Sequence, residues 1–315
     1  MPSPTHRPTG LDGAVADASR SNWVDRYAPA WLKPYARLAR WDRPVPLLLL
    51  FWPCAMGVGL VAVARPELGY DVVAVLLFLI GSVAMRGAGC TFNDIVDADI
   101  DAKVARTRSR PIPAGQVTKR QAFVFLALQA LVGLAVLTYF NSFTILLAIS
   151  SLLLVAIYPF MKRVTWWPQL FLGLAFNFGA LLGWSSATGT LEAPALMLYF
   201  GGILWTIGYD TIYALQDIED DALVGVKSTA RLFGRRTRLI VGLFYIATLL
   251  AWGEALVLAG ASWIGFSGLV VAAGLFAWQM KTLHASEPGN ALIRFRSNHW
   301  VGLALSLALL FDWIG

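Results

Sequence analysis

"VVAVLLFLIGSVAMRGAGCTFNDIVDADID", Val72 to Asp101, opens as an unbroken apolar run and closes as a cluster of carboxylates. From 72 to 85 it carries no charge, and it reads as most of a helix crossing the roughly 30 Å hydrocarbon layer of a bilayer. Comparable apolar runs recur at 45–64, 122–140, 143–160, 170–185, 195–213, 239–258, 262–280 and 300–314. By length they predict about nine transmembrane helices, hence an all-α polytopic membrane protein. Composition agrees: 57% of the 315 residues are hydrophobic and only 14% charged, with a mean hydropathy of +0.63. A soluble helical protein with a greasy core does not fit, because nearly every helix is apolar all round.

The basic residues test the topology independently. With loops numbered from the N-terminus and sides alternating, one side receives the Lys and Arg of 7–43, 103–120 and 227–238, with Lys162, Arg163, Lys281, Arg294 and Arg296. The other side receives Arg65 alone. By the positive-inside rule the N-terminus is then cytoplasmic and Gly315 lies on the opposite side, in an inner membrane. The net charge of +6 reports that orientation, not nucleic-acid binding.

Residues 1–30 are rich in Pro, Ser, Thr and Ala and lack an apolar core. They read as a disordered cytoplasmic leader, and 31–315 as the membrane domain. Asp12, Asp17 and Asp25 argue against a mitochondrial transit peptide and tilt the expectation to a bacterial membrane. Trp31, Leu32, Tyr35, Leu38 and Trp41 fall at helical spacing with Lys33, Arg37 and Arg40 between them, the pattern of a short interfacial helix. Cys54 and Cys90 both lie in expected helices, so no disulfide framework or thiolate metal site is suggested.

Helix two, running inward, is expected to end near Thr91, so residues 93–101 emerge at the cytoplasmic surface. Helix six also runs inward and delivers "YDTIYALQDIEDD", residues 209–221, to that surface. Nine of the 19 acidic residues sit in these two segments, which scattered solubilising charge would not do. The halves therefore read as two copies of a four-helix arrangement with a ninth helix added. Asn93, Asp97 and Asp101 recur every four residues, Asp94 and Asp101 are seven apart, and Asp99 points elsewhere. Asp210, Asp217 and Asp221 repeat the pattern. Like charges so spaced destabilise a helix unless a cation lies between them. Hard oxygen donors without His or Cys select Mg²⁺, Ca²⁺ or Mn²⁺, and Mg²⁺ is commonly held by one or two carboxylates plus substrate phosphates.

Basic side chains follow each cluster: Arg106, Arg108 and Arg110 the first, Lys227 the second. Beside metal-bound carboxylates they suit the remaining oxygens of a diphosphate. Lys119, Arg120, Arg235, Arg236 and Arg238 read instead as anchors to anionic lipid. Arg86 lies inside helix two, on the face of Asn93 and Asp97, as a functional cation or a counter-ion for the cluster.

These residues carry a resemblance. "NDIVDADID" at 93–101 and "DIEDD" at 217–221 resemble the two acidic motifs of the UbiA superfamily of intramembrane prenyltransferases, over essentially residues 34–315. Asp99 is an extra carboxylate in the first motif. "RWDRPVP", "MRGAGCTFND", "RTRSRPIPAG", "YPFMKRVTWWPQ", "FNFGALLGW", "YDTIYALQD" and "GVKSTA" are similar to the branch that prenylates 4-hydroxybenzoate in ubiquinone synthesis.

The resemblance implies a ring of helices around a central cavity with a cytoplasmic cap, polyprenyl diphosphate and 4-hydroxybenzoate as substrates, and Mg²⁺ as cofactor. It implies Asn93, Asp97, Asp217 and Asp221 as Mg²⁺ ligands, with Asp94 and Asp101 among the catalytic carboxylates. Arg106, Arg110 and Lys227 would stabilise the leaving diphosphate. Lys162 or Arg163 would bind the acceptor carboxylate, with Arg43 next in line; the bland reading of that pair is positive-inside anchoring. Two alternatives stay open: another acceptor such as homogentisate, a naphthoate, haem or chlorophyllide, and a divalent-cation transporter. Both clusters lying at one face and not the midplane disfavours transport.

Overall fold

The computed structural model describes residues 22–102, 107–219 and 225–315, and the described residues are helical with short connections. In chain order the helices are α1 (Trp23–Tyr27), α2 (Lys33–Leu38), α3 (Pro44–Ala64), α4 (Val72–Asp101), α5 (Lys119–Leu137), α6 (Ser142–Val164), α7 (Pro168–Phe176), α8 (Phe178–Thr188) and α9 (Ala193–Ala214). After these come α10 (Thr229–Phe233), α11 (Thr237–Leu258), α12 (Trp263–Thr282) and α13 (Pro288–Ile314). Among the described residues, 22–47 and those within Gly81–Ala135 form one compact unit; those within Leu48–Ile80 and Val136–Gly315 form another.

Eight stretches among the described residues are long and apolar enough to cross a membrane. The expected ninth crossing, 300–314, is the second part of α13, whose 27 residues carry Arg294 and Arg296 in the first part. The apolar run of α6 leaves Leu146 67% and Leu153 66% exposed, surface that a membrane helix gives to lipid and a soluble one hides.

In the first unit, Leu38 of α2 packs with Ile95 and Ala98 of α4 and with Ile112, Val117 and Ala122. Tyr35 meets Phe125 edge to face at 5.2 Å. The α2 segment is thereby laid against the C-terminal part of α4. Asn22 caps α1 by accepting from the Asp25 amide at 2.9 Å, and Arg37 ties Asp25 to α2 at 2.7 Å. Residues 23–27 are thus helical, inside the stretch expected to be a disordered leader.

In the second unit α9 is the buried element: Trp205, Tyr209 and Ile212 are at most 1% exposed. It packs chiefly on α11 and α7. Several polar groups in this interior are satisfied between helices, as hydrocarbon favours. Trp205 Nε1 donates to Asn298 Oδ1 at 2.8 Å, and the Tyr245 hydroxyl to Gln279 Oε1 at 2.7 Å. Helices α3 and α8 meet through glycines: a Cβ on Gly183 would lie 2.3 Å from the Cys54 carbonyl oxygen, and one on Gly57 2.4 Å from that of Ala180. This is the close approach that small residues give membrane helices. The apolar run 170–185 is not one helix. Asn177 interrupts it, buried, with its amide donating to Gly173 O at 2.9 Å and Thr206 Oγ1 at 2.7 Å.

Candidate active site

Helix α4 does not end near Thr91; it runs on through the first acidic motif to Asp101. Its 30 residues span about 45 Å, so its last turns outrun the hydrocarbon. Carboxylates at a helix C-terminus oppose the helix dipole and repel each other. Two arginines resolve the conflict. Arg40 Nη2 lies 2.7 Å from Asp94 Oδ1, and Arg110 Nη1 lies 3.3 Å from the same oxygen and 2.6 Å from Asp101 Oδ2. The helix end is therefore a charge-compensated structure and not a frayed acidic tip.

Burial sorts the motif in two. Asp94 is 0% and Asp101 6% exposed, whereas Asn93 and Asp97 are only partly buried. Asp99, expected to point elsewhere, pairs on the surface with Lys119 at 3.1 Å, which gives Lys119 a partner other than lipid. Thr107 Oγ1 donates to the Asp101 carbonyl at 3.0 Å, and Arg110 N to Thr107 O at 2.9 Å, so residues 107–110 rest on the end of α4 and Arg110 reaches the motif.

Its sequence context marks Arg40 only as part of an interfacial helix. Among the described residues it is the one non-glycine with positive φ, at 60°, a left-handed conformation costing about 1–2 kcal/mol. Burial opposes its charge, but the neighbouring Asp94 carboxylate outweighs that and holds its pKa above the usual arginine value. Nothing in the sequence announces this: the partners are 54 residues apart and the bend is set by tertiary packing. Arg43, a candidate for the acceptor, reaches Asp42 at 3.3 Å. Arg86 sits partly buried within α4.

The second motif is held in the other unit. Asp210 is on α9 and Asp217 closes the 3₁₀ turn Leu215–Asp217 that follows; both are partly buried. The Thr211 hydroxyl meets that of Thr229, and Gln169 Oε1 accepts from the Thr229 amide at 3.1 Å, which fastens the "KST" segment to α9 and α7. Lys227 in turn docks on the end of α6: its amide donates to Lys162 O at 2.9 Å and its ammonium to Val164 O at 3.1 Å. Lys227, expected to serve the diphosphate, is thus seated on the backbone of the α6 end that carries Lys162, expected to serve the acceptor. Arg106 and Asp221 lie outside the described residues.

No three His, Cys, Asp or Glu side chains gather into a metal cage among the described residues. Mg²⁺ does not ask for one. Oxygen donors from Asn93 and Asp97, one turn apart at the open part of the motif, fit an ion that takes few protein ligands and keeps the rest for phosphate and water.

Residues 50–303 match the family model described as the UbiA prenyltransferase family. The chain belongs to that family. Its curated relatives include the mitochondrial 4-hydroxybenzoate polyprenyltransferases of Arabidopsis thaliana, 44% identical over 92% of this chain and 71% of that one, and of Bos taurus, 44% over 98% and 82%. The Homo sapiens protein of the same name is 43% identical over 98% of this chain and 81% of its own. Among solved structures, a UbiA homolog from Aeropyrum pernix K1 superposes with a TM-score of 0.71 at 23% identity, over 85% of this chain and 98% of that one. A UbiA homolog from Archaeoglobus fulgidus bound to GPP and Mg²⁺ gives 0.65 at 18%, over 88% and 99%. These likenesses show that the chain has the UbiA fold. The relatives' names point to mitochondria and lend no support to the bacterial membrane that the acidic leader suggested.

Proposed function

We propose that this membrane protein transfers a polyprenyl group from polyprenyl diphosphate to the ring carbon ortho to the hydroxyl of 4-hydroxybenzoate, releasing diphosphate, as ubiquinone synthesis requires. The observation that carries the reading is identity of 43–44% over nearly the whole chain with three relatives bearing that activity in their names. The site chemistry supports it: acidic segments followed by cations suit a diphosphate, and apolar helices suit its isoprenoid tail.

In this reading Asn93 and Asp97 from α4 and Asp217 and Asp221 from the segment after α9 hold Mg²⁺. The ion, when bound, neutralises the diphosphate and makes it a leaving group. Arg106 and Lys227 stabilise the charge that grows as the allylic C–O bond breaks. Arg110 is committed to Asp94 and Asp101, so it would reach a diphosphate only by sharing those contacts. The allylic cation alkylates the ring, the ring proton leaves, and exclusion of water by the membrane interior protects the cation from hydrolysis. Lys162 or Arg163, with Arg43 in reserve, binds the acceptor carboxylate. The N-terminus and the basic loops lie on one side of the membrane and Gly315 on the other.

The test is a competition with purified protein, Mg²⁺ and a prenyl diphosphate, offering 4-hydroxybenzoate beside homogentisate and a naphthoate. Prenylated 4-hydroxybenzoate as the main product supports the reading. Preference for another acceptor moves the chain to a different branch of the family.

A further inference from the structure

The carboxylates of the first motif are not equivalent. Asp94 is fully buried, and its Oδ1 takes Arg40 at 2.7 Å and Arg110 at 3.3 Å. Its Oδ2 is buried without a hydrogen-bond partner among the described residues, and the two arginines compensate its charge. Asn93 and Asp97, by contrast, are only partly buried. Arg40 stands just beyond α2, with Nη1 donating to the Arg37 carbonyl at 2.8 Å. Leu38, two residues earlier, is wedged against Ile95 and Ala98 of the same helix end. Apolar contact from Leu38 at Ile95 and Ala98 and ionic contact from Arg40 at Asp94 thus hold adjoining positions of α4, and the left-handed backbone at Arg40 carries its guanidinium there. An unfavourable backbone kept at one residue marks a position that its surroundings over-determine.

We propose that Arg40 and Asp94 form a positioning pair: they set the rotation of the last turns of α4, so that Asn93 and Asp97 face the metal and diphosphate, and they make the motif depend on the N-terminal segment. This rests on the proposed transferase reading for the metal, not for the acceptor. Asp94 is then neither a ligand nor a proton-transfer group. Rotation of α4 by one residue's worth would turn Asp97 away from the ion while leaving the helix intact. Arg110, which reaches Asp94 and Asp101 together, acts as a second, weaker tie.

The test uses the full chain and Arg40→Gln, Asp94→Asn and the double variant. The readout is Mg²⁺-dependent binding of a non-cleavable prenyl thiodiphosphate by calorimetry, which needs no acceptor, alongside kcat and KM. Positioning predicts that each single variant weakens Mg²⁺-dependent binding by roughly 10–100-fold, that the double variant is no worse than either single one, and that Arg40→Lys recovers part of the loss. Arg40→Gly accepts the left-handed backbone without strain and should lose binding as Arg40→Gln does, which separates the guanidinium from the bend. Additive losses would overturn the pair and make Arg40 a diphosphate contact. Loss confined to Asp94→Asn would make Asp94 a ligand. If the unmodified chain binds no thiodiphosphate with Mg²⁺, the transferase reading fails first. If it binds but prenylates another acceptor, the pair is still read in full.

Discussion

At the scale of single residues, the account turns on which charges meet substrate and which meet each other. Asp97→Ala or Asp217→Ala is expected to abolish turnover at saturating Mg²⁺ while leaving the melting temperature close to that of the unmodified protein, since neither side chain belongs to the apolar core. Full turnover by either variant would remove that residue from the ligand set. Arg163→Ala should raise KM for 4-hydroxybenzoate and leave that for the prenyl diphosphate nearly unchanged. Loss of one charge-assisted hydrogen bond is worth roughly 1.5–3 kcal/mol, or about tenfold to a hundredfold. Lys227→Ala should show the opposite bias. Its ammonium and amide rest on α6 beside Lys162, so steady-state kinetics with each substrate varied in turn will show whether these cations serve one substrate or two. Helical period put Asn93, Asp94, Asp97 and Asp101 on one shared face, whereas burial separates Asp94 and Asp101 from Asn93 and Asp97, because the arginines that cover the first two come from elsewhere in the chain. The role of Arg40 was not legible in the sequence. It depends on a contact across 54 residues and on a backbone angle with no sequence signature outside glycine, asparagine and aspartate.

Among the elements, the apolar runs announced most of the helices, but three features needed tertiary information. Helix α4 continues past Thr91 because arginines from elsewhere neutralise carboxylates that would unravel an isolated helix end. Residues 170–185 break at Asn177 because its side chain finds partners on α7 and α9. Residues 23–27 coil into α1 because Asn22 caps them and Arg37 holds Asp25. Glycine packing gives a direct test: Gly183→Val would press side-chain carbon into the Cys54 carbonyl and force α3 from α8. A loss of roughly 1–3 kcal/mol is expected, read as a lower melting temperature in detergent. The α1–α2 contact should be acid-sensitive. Burial pushes the Asp25 carboxyl up, but hydrogen bonds from Arg37 and Asn22 and the charges of Arg37 and Lys33 outweigh it and hold it below the usual range. A carboxyl with a depressed folded pKa stabilises the fold above its unfolded value, about 4. That stabilisation is lost as pH falls through the lower, folded value. Hydrogen exchange over residues 23–38 should therefore quicken as pH is lowered below that range, once corrected for intrinsic rate, and Asp25→Asn should abolish the dependence.

For the whole molecule, the one-sided distribution of Lys and Arg predicts that a reporter fused after Gly315 is active only on the side opposite the N-terminus; activity on the same side would remove the ninth crossing. Membrane character and family were legible from composition and the two acidic motifs. The acceptor rests on stretches such as "YPFMKRVTWWPQ" and on the relatives. The central claim, Mg²⁺-dependent alkylation of an aromatic ring, is tested most directly by incubating purified protein with Mg²⁺, a prenyl diphosphate and 4-hydroxybenzoate, then quantifying diphosphate and locating the new carbon–carbon bond by NMR. The account predicts one diphosphate released per ring prenylated ortho to the hydroxyl, and neither product when Mg²⁺ is chelated. Diphosphate released without a prenylated ring, or ring alkylation that persists in chelator, would contradict it.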